Sequence, residues 1–331
     1  GLTGVWVSVA GRVPGWSDFP TCGGRGPVPR EDPLADTRVS VVGGTGFVGG
    51  RLALALLRAG SKVTTASRAR RSPAGLPHVS CDLVSGEGID RALEGADVAY
   101  FLVHSMAGGQ QFAERERVAA EQFSAAARRQ KVGRVVYLGG LYPSGQALSE
   151  HLESRRRVGL TLIERTGALA VRAGVVVGAG SDSFEIIHGL AARLPAMIAP
   201  RWLKSRCQPI GVDDAIRALV AAPTVAGARE VDLAGPDVLT YRAMLELTAE
   251  EMGGRAPWMI PVPVLSPELS SHWLRLITRV DMNVARSLVS SLRHDLVAEN
   301  SLLTDELGQS PAGFRECARV ALAEMAAEGT A

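Results

Sequence analysis

Two spacings in the chain have the residue types that chemistry needs. The first is Gly43-x-x-Gly46-x-x-Gly49 in "VVGGTGFVGG", directly after a short β-branched run. In such a turn one glycine makes the tight bend, one lets the backbone approach a pyrophosphate, and one allows close helix packing, while the helix N-terminus favours the phosphate charge. The second is His151-x-x-x-Arg155 in "SEHLESR". Residues four apart share one helical face. A neutral imidazole can donate or accept a proton near pH 7, and an always-charged guanidinium beside it disfavours imidazolium. His151 is therefore expected to act as a hydrogen-bond donor or base rather than a strong acid.

The elements that must position these groups follow from the periodicity. "RVSVV", the glycine turn and "FVGGRLALALLRAG" read as strand, turn and helix, with Gly60 as the stop. Further strands are expected at Lys62 to Ala66, His78 to Cys81, Val98 to Val103, Arg134 to Leu138 and Ala168 to Val177. Helices are expected near 88 to 94, 111 to 130 and 150 to 166. Such alternation predicts an α/β fold with a Rossmann-like, doubly wound parallel sheet. Beyond residue 178, helical segments near 183 to 193, 212 to 222, 240 to 252, 266 to 293 and 311 to 327 predict a smaller, mostly helical C-terminal substrate lobe. Thr240 is its clearest N-cap, and the stripe Phe314, Cys317, Val320, Ala321 and Met325 reads as core packing. The expected organisation is a flexible leader at 1–36, a nucleotide-binding domain at 37–178 and the lobe at 179–331, with some lobe elements returning to the sheet.

The cofactor set is expected to comprise Gly43, Thr45, Gly46, Phe47, Val48 and Gly49 at the turn, with Asp82 and Leu83 at the adenine edge. Val103 and His104 close it after the fourth strand. "KVTTASRARR" has no acidic residue to hold a ribose 2′-hydroxyl, and Arg68 stands in that place. A guanidinium matches a 2′-phosphate in charge and fork geometry, so NADP(H) is the expected cofactor. Arg70 and Arg71 read equally well as assistants or as a solvated loop, and Asp82 also reads as a turn cap. Ser105, Tyr142 and Glu116 are further cleft candidates; Tyr142 could supply a hydroxyl or pack beside Pro143, and Glu116 could orient the site or face solvent.

Composition bounds the rest. With 331 residues, 46% hydrophobic and 21% charged, and a net charge of +2, the chain reads as an ordinary globular protein with no nucleic-acid partner implied. Cys22, Cys81, Cys207 and Cys317 are too scattered for a metal cluster or a disulfide framework, which makes a reducing cytoplasm the default. The most apolar stretch, Ala168 to Gly180, is interrupted by Arg172, so no membrane span is expected.

The order of "VVGGTGFVGG", "FLVHSM", "RVVYLGGL", "LSEHLESR", "VRAGVVVGAGSDSFE" and "QPIGVDDAIRAL" resembles the atypical and extended short-chain dehydrogenase/reductases, in particular their NAD(P)H-binding, NmrA-like group, over about residues 38 to 300. The resemblance implies a Rossmann-like domain, NADP(H), a small-molecule substrate and a homodimer paired through two helices. In the last motif Asp213 and Asp214 would brace the lobe. Better-known members use Tyr-x-x-x-Lys with a Ser at the end of the fifth strand. Here the residues four after Tyr100, Tyr137, Tyr142 and Tyr241 are His104, Leu141, Gln146 and Leu245, and Gly139 and Gly140 stand where the Ser is expected. His151, Arg155 and Tyr142 are the catalytic candidates that remain. The resulting expectation is an NADP(H)-dependent oxidoreductase acting on a small carbonyl or conjugated, cyclic or aromatic substrate. An NADP(H)-binding sensor or scaffold without turnover, and a redox-neutral isomerase or dehydratase, are the alternatives.

Overall fold

The computed structural model describes residues 34–72, 75–103, 112–193, 196–199, 201–255, 258–261 and 294–329. The elements in chain order begin with β1 (Arg38–Val42), α1 (Phe47–Arg58), β2 (Lys62–Ser67), β3 (His78–Ser80), α2 (Ile89–Leu93), β4 (Val98–Phe101), α3 (Phe112–Arg129), β5 (Arg134–Gly140), α4 (Glu150–Thr166) and β6 (Leu169–Ala173). They continue with β7 (Val176–Val177), α5 (Asp182–Arg193), β8 (Ala196–Ala199), β9 (Arg206–Cys207), β10 (Ile210–Gly211), α6 (Val212–Ala221), β11 (Arg229–Leu233), β12 (Leu239–Thr240), α7 (Tyr241–Glu251), β13 (Trp258–Pro261) and α8 (Phe314–Gly329).

Seven strands form one sheet in the order β11-β6-β5-β4-β1-β2-β3, and every pairing in it is parallel. Parallel strands need crossovers, and the intervening helices cover both faces. One face carries a core of Val39, Val41, Leu52, Leu56, Val171, Ile216 and Leu219. The other carries Phe101, Phe123, Tyr137, Leu162 and Ala170. The strand order reverses between β1 and β4, which is where ligands of open α/β sheets bind.

Two boundaries differ from the sequence expectation. Residues 34–36 belong to the body rather than to the leader: Leu34 is buried, its carbonyl accepts from Ser61 Oγ at 2.9 Å, and Asp36 N donates to Gly60 O at 3.0 Å. The expected strand Ala168 to Val177 is two strands. A Cβ on Gly174 would lie 2.1 Å from Gln208 O, so the chain bends at this close approach and β7 leaves the sheet to pair with β10. Within the C-terminal part, α6 packs on α1 and β11 pairs with β6 at the edge of the sheet. Residues 1–33, His104, Ser105 and the whole of the helical stretch expected at 266 to 293 lie outside the described residues.

A second core gathers Phe184, Ile187, Leu190, Trp202, Tyr241, Met244 and Leu245 with Phe314, Cys317 and Ala321; Val320 and Met325 pack against it. Thr240 caps α7 by accepting from Ala243 N at 3.1 Å, the pattern its sequence predicts. Asp214 is almost fully buried. It accepts from Ala312 N at 2.7 Å and pairs with Arg217, tying α6 to the approach to α8. Among the described residues no helix is long and apolar enough to cross a membrane, and no cluster of His, Cys, Asp and Glu could hold a metal ion.

Candidate functional site

β1 ends against a turn whose geometry admits only glycine at two points. Gly43 has a φ of +95°, and a Cβ there would meet the Leu102 carbonyl at 3.0 Å. A Cβ on Gly49 would lie 2.2 Å from Gly43 O, so the first turn of α1 can pass over the loop only without a side chain. Gly46 caps α1 with no side-chain hydrogen bond, and the first turn carries no acidic residue. The N–H groups there meet no side-chain acceptor, and the local field favours an anion.

Two cavities flank this turn and share Gly43, Gly46 and Leu102. The first, of about 420 Å³, is lined by Thr45, Arg68, Asp82, Leu83, Val103 and Glu116, among others. Arg68 directly follows β2, and its loop is tied down by His78, whose Nε2 lies 2.9 Å from Ala69 O and whose Nδ1 lies 2.9 Å from Thr65 Oγ1. Asp82 Oδ1 accepts from Val84 N at 2.7 Å, so this residue caps a turn while facing the cavity. Glu116 is buried and accepts from Ser154 Oγ at 2.5 Å, which joins α3 to α4; it does not face solvent.

The second cavity, of about 330 Å³, lies at the carboxyl ends of β5 and β6 and extends to α5 and α7. Phe47, Val48 and Gly49 open onto it from the turn, and His151 and Arg155 line it from α4. Ser149 caps that helix by accepting from Leu152 N at 3.3 Å. The ring of His151 lies 5.8 Å from that of Phe112. His151 Nδ1 and Arg155 Nε are both buried without a hydrogen-bond partner. Burial first, and the Arg155 charge second, lower the His151 pKa from 6.5 to about 4, so the ring is neutral at pH 7.

The missing Ser has a physical counterpart. A Cβ on Gly139 would lie 2.9 Å from Tyr137 Cε1, and one on Gly140 would lie 3.7 Å from an Arg155 guanidinium nitrogen. At Gly139 the Tyr137 ring therefore fills the space a larger residue would need, whereas a Cβ on Gly140 would make only ordinary contact.

Tyr142 does not join His151 and Arg155. Its hydroxyl donates to Glu230, the Arg172 guanidinium lies 4.7 Å from its ring centroid, and it is not among the residues lining the cavity. Burial and then the Glu230 contact push its pKa up to about 12. Arg172 in turn binds the buried Asp232 at 2.6 Å. These partners are held in place by the β6–β11 pairing, which no sequence spacing near Tyr142 announces.

The far wall holds residues that were not among the site candidates: Ser181, Asp182, Ile186, Leu190, Trp202, Tyr241, Leu245 and Leu296. The run "GAGSDSF" was a usable signal for the start of α5, where Ser181 Oγ donates to Val176 O at 2.7 Å. Trp202 had none, because its place depends on the packing of α5 against α7.

The glycine turn, the uncapped helix start, the paired cavities and the unpartnered polar atoms all suit a dinucleotide laid across the switch point. No curated protein matches the chain. A UDP-glucose 4-epimerase from Thermotoga maritima, solved with UDP-glucose, superposes with a TM-score of 0.68 at 13% identity, covering 89% of this chain and 100% of that one. A UDP-N-acetylglucosamine 4-epimerase from Methanobrevibacter ruminantium, in complex with UDP-N-acetylmuramic acid, gives 0.68 at 14% identity over 89% and 100% of the chains. An NAD dependent NDP-hexosamine 5,6-dehydratase of tunicamycin biosynthesis gives 0.65 at 16% identity over 86% and 96%. At such identities the likeness is one of fold. From β1 to the first half of α4, residues 39–157, the chain matches the model of the NAD dependent epimerase/dehydratase family.

Proposed function

We propose that the protein is an NADP(H)-dependent oxidoreductase that reduces a small, largely apolar carbonyl or conjugated compound. The observation that carries this reading is the cavity beside the glycine turn. Its substrate side is mostly hydrocarbon, with Val175, Val176, Ile186, Ile187, Leu190 and Leu296, and His151 and Arg155 line it from α4 as a neutral imidazole beside a fixed positive charge.

In this reading Gly43, Thr45, Gly46, Phe47, Val48 and Gly49 would hold the pyrophosphate, and Arg68 the 2′-phosphate. Asp82, Leu83 and Val103, which line the same cavity as Arg68, would meet the adenine half. The bound dinucleotide supplies a hydride. His151, neutral at working pH, orients the carbonyl oxygen by a hydrogen bond, and Arg155 places a fixed positive charge where negative charge develops on that oxygen. The apolar wall excludes water from this pair until reduction is complete, and solvent then protonates the alkoxide. Neither His151 nor Arg155 need give up a proton, which is why the absence of Tyr-x-x-x-Lys is tolerated.

A second reading, redox-neutral epimerisation or dehydration of a nucleotide sugar, draws on the names of the fold neighbours. The hydrocarbon wall argues against it, because a sugar diphosphate needs many donors around its hydroxyl and phosphate oxygens. The deciding experiment supplies NADPH with cyclic and aromatic ketones and enones in one series and UDP-sugars in another. NADPH loss in the first series is expected. Conversion of a UDP-sugar with no net NADPH loss would overturn the reading.

A further inference from the structure

The cavity beside Arg68 has a second cation in its wall. Arg115, in the first turn of α3, lines it together with Glu116 and Ala119. Residues four apart share one helical face, and Ala119 is buried there, so the Arg115 side chain starts on the face of α3 that the cavity meets. Arg117 starts on another side of the helix. It does not line the cavity, and it is held by Glu114 at 2.6 Å and Glu121 at 2.7 Å. Arg115 and Arg68 are both exposed, and among the described residues neither guanidinium has a hydrogen bond or an ion pair.

The carboxylates of the same wall are engaged. Asp82 Oδ1 accepts from Val84 N at 2.7 Å and from Ser85 N at 3.3 Å, and the buried Glu116 accepts from Ser154 Oγ. Two arginines are thus free to turn onto an anion, while the two carboxylates are bound to the chain's own donors. A guanidinium stays charged at every working pH, and its fork matches phosphate oxygens. A phosphate monoester carries about −1.5 to −2 charge at pH 7, more than Arg68 alone offsets. We infer that Arg115 is a second specificity-determining residue for the dinucleotide, closing with Arg68 on the 2′-phosphate as a two-arginine clamp. This inference rests on the proposed NADP(H) binding and adds a residue to it.

The test uses the full chain and two probes, adenosine 2′,5′-bisphosphate and adenosine 5′-monophosphate, which differ in the 2′-phosphate alone. Their dissociation constants are measured by calorimetry with the wild type, Arg68→Gln, Arg115→Gln and Arg117→Gln. All three positions are exposed, and glutamine keeps the helix propensity of α3. A charge-assisted hydrogen bond corresponds to about tenfold or more in affinity. Arg115→Gln is expected to weaken the bisphosphate by about that factor and leave the monophosphate within about twofold, and Arg117→Gln to change neither. An Arg115→Gln protein that loses neither probe, or both alike, would overturn the inference, and so would an Arg117→Gln protein that behaves like it. A preference for the bisphosphate that Arg68→Gln abolishes and Arg115→Gln spares sinks the Arg115 assignment alone. A wild type with no such preference sinks the NADP(H) reading and the clamp together.

Discussion

On the Arg68 side of the glycine turn the cavity is walled by the ends of β1, β2 and β4, by the turn after β3, and by residues of α3, β5 and α4. On the His151 side it is walled by β5, β6, α4, α5, the turn bearing Trp202, α7 and Leu296, and its specific atoms are side-chain nitrogens left without partners. The difference teaches how the site divides its labour. In the proposed function the first half would take the dinucleotide, and its shape is fixed by glycines. The second half would take the substrate, and its polar side chains His151 and Arg155 lie within hydrocarbon.

The sharpest way to break this comparison is to damage the part both halves share. Gly49→Val puts side-chain carbon within 2.2 Å of Gly43 O, so loss of measurable NADPH binding is expected, together with a stability loss of about 3 kcal/mol. Fluorescence titration and chemical denaturation read the two effects. A Gly49→Val protein that binds NADPH normally would remove the turn from the site.

Next in size is His151→Ala. Loss of a donor to a developing oxyanion lowers kcat by about 100-fold while the NADPH dissociation constant stays within about twofold, an energy below that of one hydrogen bond. An equal loss in both quantities would mean that the two halves are not separable. Arg68→Ser is the reciprocal test. It removes a charged contact worth about 10-fold or more in NADPH affinity and leaves NADH affinity nearly unchanged. If both cofactors weaken alike, Arg68 is holding the loop rather than a 2′-phosphate.

The smallest effect is on stability against pH. Because the folded chain holds the His151 pKa at about 4 against an ordinary 6.5, the unfolded chain binds a proton first as pH falls. Folding stability therefore declines between those values and is fully present above them. Denaturation midpoints inside and above that window should differ less in His151→Ala than in the wild type. Parallel curves would mean that the ring is not desolvated.

Much of this was legible from the chain alone, for physical reasons. The glycine turn, the Ser149 and Thr240 caps and the helix faces are local: a few neighbouring residues determine their conformation whatever surrounds them. Spacing also put His151 and Arg155 on one helical face, and the effect of the guanidinium on the imidazole followed from charge. Tyr142 was not legible. Its position after β5 points to the cleft, but Glu230 and Arg172 are brought to it by tertiary pairing and take its hydroxyl away. Gly174 hid its role for the same reason, since the atom it must avoid belongs to Gln208. Trp202 is the extreme case: an apolar aromatic in a loop has no periodic signature, and its unpaired nitrogen emerges only once α5, α7 and the sheet are packed together.

The most direct test of the account is a single-turnover experiment. Wild type and His151→Ala are each loaded with NADPH and mixed with excess para-diacetylbenzene, and nicotinamide absorbance and product alcohol are followed together. The account predicts one alcohol formed for each NADPH consumed, and a rate about 100-fold slower in the variant with its NADPH still bound. Equal rates in the two proteins, or NADPH that stays bound and unconsumed in the wild type, would contradict it.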